Sequence, residues 1–157
     1  MPAPKFTPRN YFNAAQEHLG IAGQALRQSQ PQYFVAHFFA GLAVEEMLRA
    51  LSVRAGDTFD GTHSIEHWAK KANVASMLSD EEAGKVSVAL DEINTRWRAN
   101  QRYYTVKMLD AHLESTQLDK IRGDRVKYSS KRLFDLAGIV VRLGEKRWLS
   151  NNKSKRS

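Results

Sequence analysis

The sequence predicts an all-α fold: an up-and-down four-helix bundle with one or two short extra helices. Three observations predict it. The four prolines are Pro2, Pro4, Pro8 and Pro31, so no residue after Pro31 forbids a helix through its ring geometry. Apolar residues recur at steps of three and four, and no stretch sustains the period-two alternation of a strand. Four long segments of this kind, joined by short links, pack most simply as a bundle.

The first helix is expected over about Asn10 to Arg27, with Ala14, Ala15, Leu19, Ala22 and Leu26 inward. Ser29–Gln32 breaks it, and a second helix starts near Pro31 or Gln32. That helix, YFVAHFFAGLAVEEMLRALSV, is apolar around most of its circumference, with Glu45, Glu46, Arg49 and Ser52 as the exceptions. A helix so apolar belongs at the centre, contacted on several sides. The glycine-containing loop Ala55–Thr62 ends it. A short helix from about His63 to Ala72 follows, with Thr62 or Ser64 as N-cap. Ser79-Asp80-Glu81-Glu82 has the form of a capping box, in which serine and glutamate satisfy each other's free amides. The long helix it opens carries the seam Ala83, Val86, Leu90, Ile93, Trp97, Asn100, Tyr104. Met108–Asp124 is less regular and reads as a short helix and a turn at Gly123. The last helix spans about Arg125–Leu149, with Leu133, Leu136, Ala137, Val140, Leu143 and Trp148 inward. Residues 1–150 thus make one domain, and 151–157 a basic, disordered tail.

Composition sets the outer bounds. With 42% hydrophobic and 26% charged residues over 157 positions, the chain can enclose a core. The absence of cysteine excludes a disulfide framework and thiolate chemistry. No apolar run approaches the roughly 18 residues of a membrane span, and the first residues lack the apolar core of a secretory signal. A cytoplasmic protein without membrane contact is expected. The formal charge is +7. Lys153, Lys155 and Arg156 supply three of these charges, leaving +4 on the body. That balance suits a polyanion partner, and suits plain solubility equally well.

The run Ala36–Gly56 (AHFFAGLAVEEMLRALSVRAG), a loop, and then Thr62–Trp68 (THSIEHW) carry a family resemblance. The pieces are Ala43-Val44-Glu45-Glu46-Met47-Leu48-Arg49-Ala50, then Gly56, then Thr62-His63-Ser64-Ile65. They resemble the Val-Glu-x-x-Leu-Lys/Arg-Ala helix end, the glycine and the Thr/Ser-His-x-Leu helix start of the HEPN family, a helical nucleotide-binding family. Gln101-Arg102-Tyr103-Tyr104 is similar to the Arg-Tyr that often follows that family's long helix. The resemblance runs in order over about Asn10 to Tyr104. It implies a helical bundle, usually a homodimer, associated with RNA or nucleotides in toxin–antitoxin or phage-defence systems. A nucleotidyltransferase or an antitoxin is the implied protein partner. The family's RNases carry an arginine followed after four to six residues by a histidine on the long helix. Here Arg96, Arg98 and Arg102 are followed at those spacings by no histidine. The RNase chemistry therefore does not carry over residue by residue.

Arg98, Asn100, Arg102 and Tyr103 stand where the resemblance implies an active centre. Asn100 falls on the apolar seam, and a buried amide needs partners, either across a packed interface or on a ligand. Arg98 and Arg102 are four apart on one expected helical ridge, and an anion between them would relieve their repulsion. The same ridge reads equally as a solvated face balanced by Asp91, Asn94 and Thr95. Trp97, Tyr103 and Tyr104 could stack on a base or simply pack. His37 and Glu45 lie two turns apart on the central helix, with Gly41 between them allowing close approach. His63, Glu66 and His67 spell H-x-x-E-H, an inverted zinc-peptidase pattern. The third ligand would have to come from elsewhere and that family is far larger, so neither a metal nor another cofactor is expected. The combined expectation is a nucleotide- or RNA-associated module without the usual Arg/His motif. The alternatives are a metal-independent endoribonuclease of another kind and a purely structural helical adaptor.

Overall fold

A computed structural model describes residues 5–56, 64–116 and 123–154, with side chains as far as 150. Every regular element among the described residues is helical. The helices are α1 (Pro8–Arg27), α2 (Tyr33–Arg54), α3 (Ile65–Ala72), α4 (Asp80–Arg96), α5 (Val106–Thr116) and α6 (Arg125–Ser154). A 3-10 helix, Ala99–Tyr103, lies between α4 and α5. The expected disordered tail starts inside α6, which runs to Ser154, while 155–157 lie outside the described residues.

The local starts follow capping chemistry. Thr7 caps α1 through Asn10, with Pro8 at the first helical position, where a missing amide costs nothing. Ser64 is the cap of α3 and accepts from His67 N. Thr62, the other expected cap, is outside the described residues. Ser79 and Glu82 form the expected capping box at α4.

α2 is the centre. It packs against α1, α6, α3 and the 3-10 helix, while α4 lies on α6. Its apolar circumference is covered on all these sides, and even Glu45, Arg49 and Ser52 are buried. Two glycines set the spacing around it. A Cβ on Gly144 of α6 would lie 2.4 Å from Met47 Cγ, so the Met47 side chain of α2 rests directly on the α6 backbone there. A Cβ on Gly41 would lie 1.9 Å from Trp97 Nε1, because the indole rests directly on α2 there. The main core joins α1, α2, α3, α4 and α6, and a smaller one gathers Leu109, Leu113 and Val126 under Tyr33, Phe34 and Tyr104.

The long seam needs one correction. α4 stops at Arg96, and Trp97 and Arg98 are extended, with φ of −122° and −138°. Ile93 and Trp97 are buried as expected, but Asn100 is exposed and Tyr104 belongs to the smaller core. The helix ends here because later side chains take its last carbonyls. Gln101 Nε2 donates to Arg96 O at 3.0 Å, and His112 Nε2 reaches Thr95 O at 3.2 Å.

Candidate functional site

The segment 97–103 is fastened at two buried points and exposed between and beyond them. Trp97 is one anchor, lying against Gly41. Gln101 is the other, 2% exposed, with its amide donating to Arg96 O and its Oε1 2.8 Å from His37 Nε2. The amide's orientation makes Oε1 the acceptor, so the imidazole donates from Nε2. His37 is 1% exposed, and burial pulls its pKa down to about 4 against the opposing pull of the Gln101 bond, with His112 and Arg96 lowering it further. The ring is neutral at ordinary pH, and its Nδ1 has no hydrogen-bond partner among the described residues.

Arg96 extends this buried polar line. Its Nε donates to Glu92 at 2.9 Å and another guanidinium nitrogen to Ser129 Oγ at 3.0 Å. Arg132 of α6 grips the same Glu92 with two bonds of 2.8 and 2.9 Å. Those two guanidinium groups hold the Glu92 carboxyl below its usual range, with Arg132 the stronger cause and burial opposing.

With the anchors inward, Arg98, Asn100, Arg102 and Tyr103 all face solvent. Their arrangement differs from the expected ridge. Arg98 is in extended backbone and Arg102 in the 3-10 helix, so the two do not share an α-helical face. The buried-amide argument made for Asn100 belongs instead to its neighbour Gln101. Arg98 and Asn100 line a cavity of about 330 Å³ with Ser64, Ile65, Asn94 and Ala99. Arg102 lines another of about 240 Å³, walled by Phe38, Leu42 and the buried Glu45–Arg49 ion pair. Trp97 and Ala99 border both cavities, so the segment forms the crest between them. Tyr103 is 77% exposed, and the Arg102 guanidinium carbon sits 5.3 Å from its ring centre. Among the described residues no carboxylate pairs with Arg98 or Arg102, so Asp91 does not neutralise them.

The four exposed groups offer two cations, an amide and an aromatic face, with no imidazole or carboxylate among them. Such a set can bind an anion and a flat ring, and it has no obvious proton carrier near neutrality. His37 and Glu45, two turns apart on α2, take separate partners: His37 is a core residue bonded to Gln101 and Glu45 pairs with Arg49, while Gly41 between them receives Trp97. Of the H-x-x-E-H residues, His63 lies outside the described residues, and Glu66 pairs with Lys70 at 3.6 Å. No group of three potential metal ligands occurs among the described residues. Sequence reasoning missed Gln101 as the anchor. Its only signal was a polar residue beside Trp97 and Asn100, which periodicity alone does not separate from a surface glutamine.

No protein-family model, curated protein or solved structure matches the chain.

Proposed function

We propose that this chain is a HEPN-like helical bundle that binds a nucleotide or single-stranded RNA across the crest 98–103. The observation that carries this reading is the Arg102–Tyr103 pair: an aromatic ring 77% exposed with a guanidinium beside it. A base stacks on such a face, and the neighbouring Arg98 and Arg102 meet phosphate oxygens with charge-assisted bonds. Asn100, exposed between them, can hydrogen-bond a base edge or a ribose. The chain acts as a binding module here, and the family resemblance suits a role beside a toxin–antitoxin or phage-defence partner.

The test is fluorescence anisotropy with a labelled single-stranded RNA, repeated over a salt series. Arg98→Ala and Arg102→Ala should each weaken binding several-fold and flatten the salt dependence. Tyr103→Ala should cost about 1–3 kcal/mol, the usual worth of a stacked base, with the salt slope unchanged. Unaltered binding by the Arg98→Ala/Arg102→Ala double variant would sink the proposal and favour the structural adaptor.

A further inference from the structure

The crest does not stand alone. Beside it, α3 and α4 diverge around a cavity of about 470 Å³, within the range of sites that hold small ligands. Its floor includes Ile65, Val86 and Leu90, and its α4 rim carries Asp91 and Asn94. Ile65 and Asn94 also line the smaller cavity that contains Arg98 and Asn100, so the two spaces abut. The joined groove has apolar side chains on its floor, the Lys70–Glu66 pair on its α3 side and Arg98 at the crest end.

We propose that the α3–α4 groove is the base pocket of a guanine nucleotide whose phosphate rests on Arg98. This inference rests on the reading of the crest as a phosphate site. Charge fixes the direction of the ligand. At the α3–α4 end Lys70 offsets Glu66, and Asp91 leaves a net negative charge that disfavours phosphate, whereas Arg98 attracts it, so the ring enters the groove and the phosphate stays at the crest. The rim then selects the ring. Glu66 is engaged by Lys70, while the Asp91 carboxylate has no ion pair among the described residues. A carboxylate only accepts hydrogen bonds, and guanine presents its N1–H and its 2-amino group side by side. Adenine sets an acceptor nitrogen beside its one amine and is repelled at the same place. Asn94, one turn on from Asp91 and half-buried, can serve the ring or the ribose from the junction of the two cavities.

The experiment is calorimetric titration of the full chain with guanosine 5′-monophosphate, adenosine 5′-monophosphate and ribose 5-phosphate. The guanine nucleotide should bind about ten-fold or more tightly than either of the others. Ser87 is exposed on the groove wall, so Ser87→Trp should plug the groove without touching the core. It should bring guanosine monophosphate down to the affinity of ribose 5-phosphate and leave the sugar phosphate unaffected. Asp91→Asn should erase the preference for guanine over adenine, and thermal melting should show both variants folded. Equal affinity for the three ligands, or full guanine binding by Ser87→Trp, overturns the groove inference while leaving the crest standing. Arg98→Ala separates the two readings. If it binds ribose 5-phosphate as wild type does, or if none of the ligands binds wild type, the crest reading fails and the groove inference falls with it.

Discussion

Gln101 does two jobs with one amide. Its Nε2 caps the end of α4 at Arg96 O, and its Oε1 takes the proton-bearing nitrogen of His37. Removing it would leave a buried N–H and a buried carbonyl without partners, and each such group typically costs about 1–3 kcal/mol. Gln101→Ala should therefore lower stability by about 2–4 kcal/mol in urea unfolding. It should also loosen the crest, since Arg98, Asn100, Arg102 and Tyr103 flank this anchor. Asn100→Ala, one residue away but exposed, should leave the urea midpoint nearly unchanged. A reversed order of these two variants would show that the amide on the old seam position is the structural one after all. Arg98, Asn100, Arg102 and Tyr103 were singled out in the sequence through the family resemblance, and of these Asn100 was expected on the buried seam and is exposed instead. The separation of Arg98 and Asn100 from Arg102 into two cavities was not legible, because it depends on which way Gln101 turns, and its partner His37 is 64 residues away.

At the scale of elements, the starts of helices were read from the sequence, and the ends of α4 and α6 were misread. Ser79 and Glu82 announce α4 because a capping box is local, complete within four residues. The end of α4 is decided by Trp97 settling on Gly41 and by carbonyl caps from Gln101 and His112, none of which a period of three and four can report. The steps from Ile93 to Trp97, Asn100 and Tyr104 fit a continuous helix and the observed break equally well. What holds α4 to α6 is sharper. Glu92 receives Arg96 from its own helix and Arg132 from α6, and the Arg96 side chain is only 3% exposed. Glu92→Gln removes the charge that compensates a buried cation, a loss of about 3 kcal/mol or more. Glu81→Gln, which breaks the exposed pair with Lys85, should have no measurable effect on the melting temperature. Equal losses from the two variants would refute the clamp.

For the whole molecule, the buried imidazole at the centre makes stability depend on pH in a definite direction. His37 has a pKa of about 4 in the fold against 6.5 when unconstrained. Between those values the unfolded chain binds the proton and the folded chain does not, so folding weakens as pH falls through that window. The contribution is fully present above pH 6.5 and amounts to about 3 kcal/mol lost by pH 4. Glu92 acts in the same sense lower down, since its lowered pKa stabilises the fold above the ordinary 4.5 and that support disappears as pH drops further. Urea unfolding at pH 7 and pH 4.5 should show a clear fall in midpoint at the lower pH. His37→Gln, whatever its own stability, should lose the part of that fall which lies above pH 5. A midpoint independent of pH between 7 and 4.5 would contradict the burial of a neutral histidine at the core. The central place of α2 was legible from its all-round apolar character. That its covered His37 would tie the core to the surface crest was not, because the bond to Gln101 joins residues 64 apart in the chain.

The contact between Gly41 and Trp97 also bears on how this sequence can change over generations. A side chain at position 41 finds the indole already in its place, so the glycine cannot mutate while the tryptophan remains. If the tryptophan shrinks first, it opens a void against α2 and releases one of the two anchors of the crest. Each single step passes through a damaged protein, and only a paired exchange avoids it. A helix interior and a surface segment are thereby coupled, and a substitution at either position is constrained by the residue at the other.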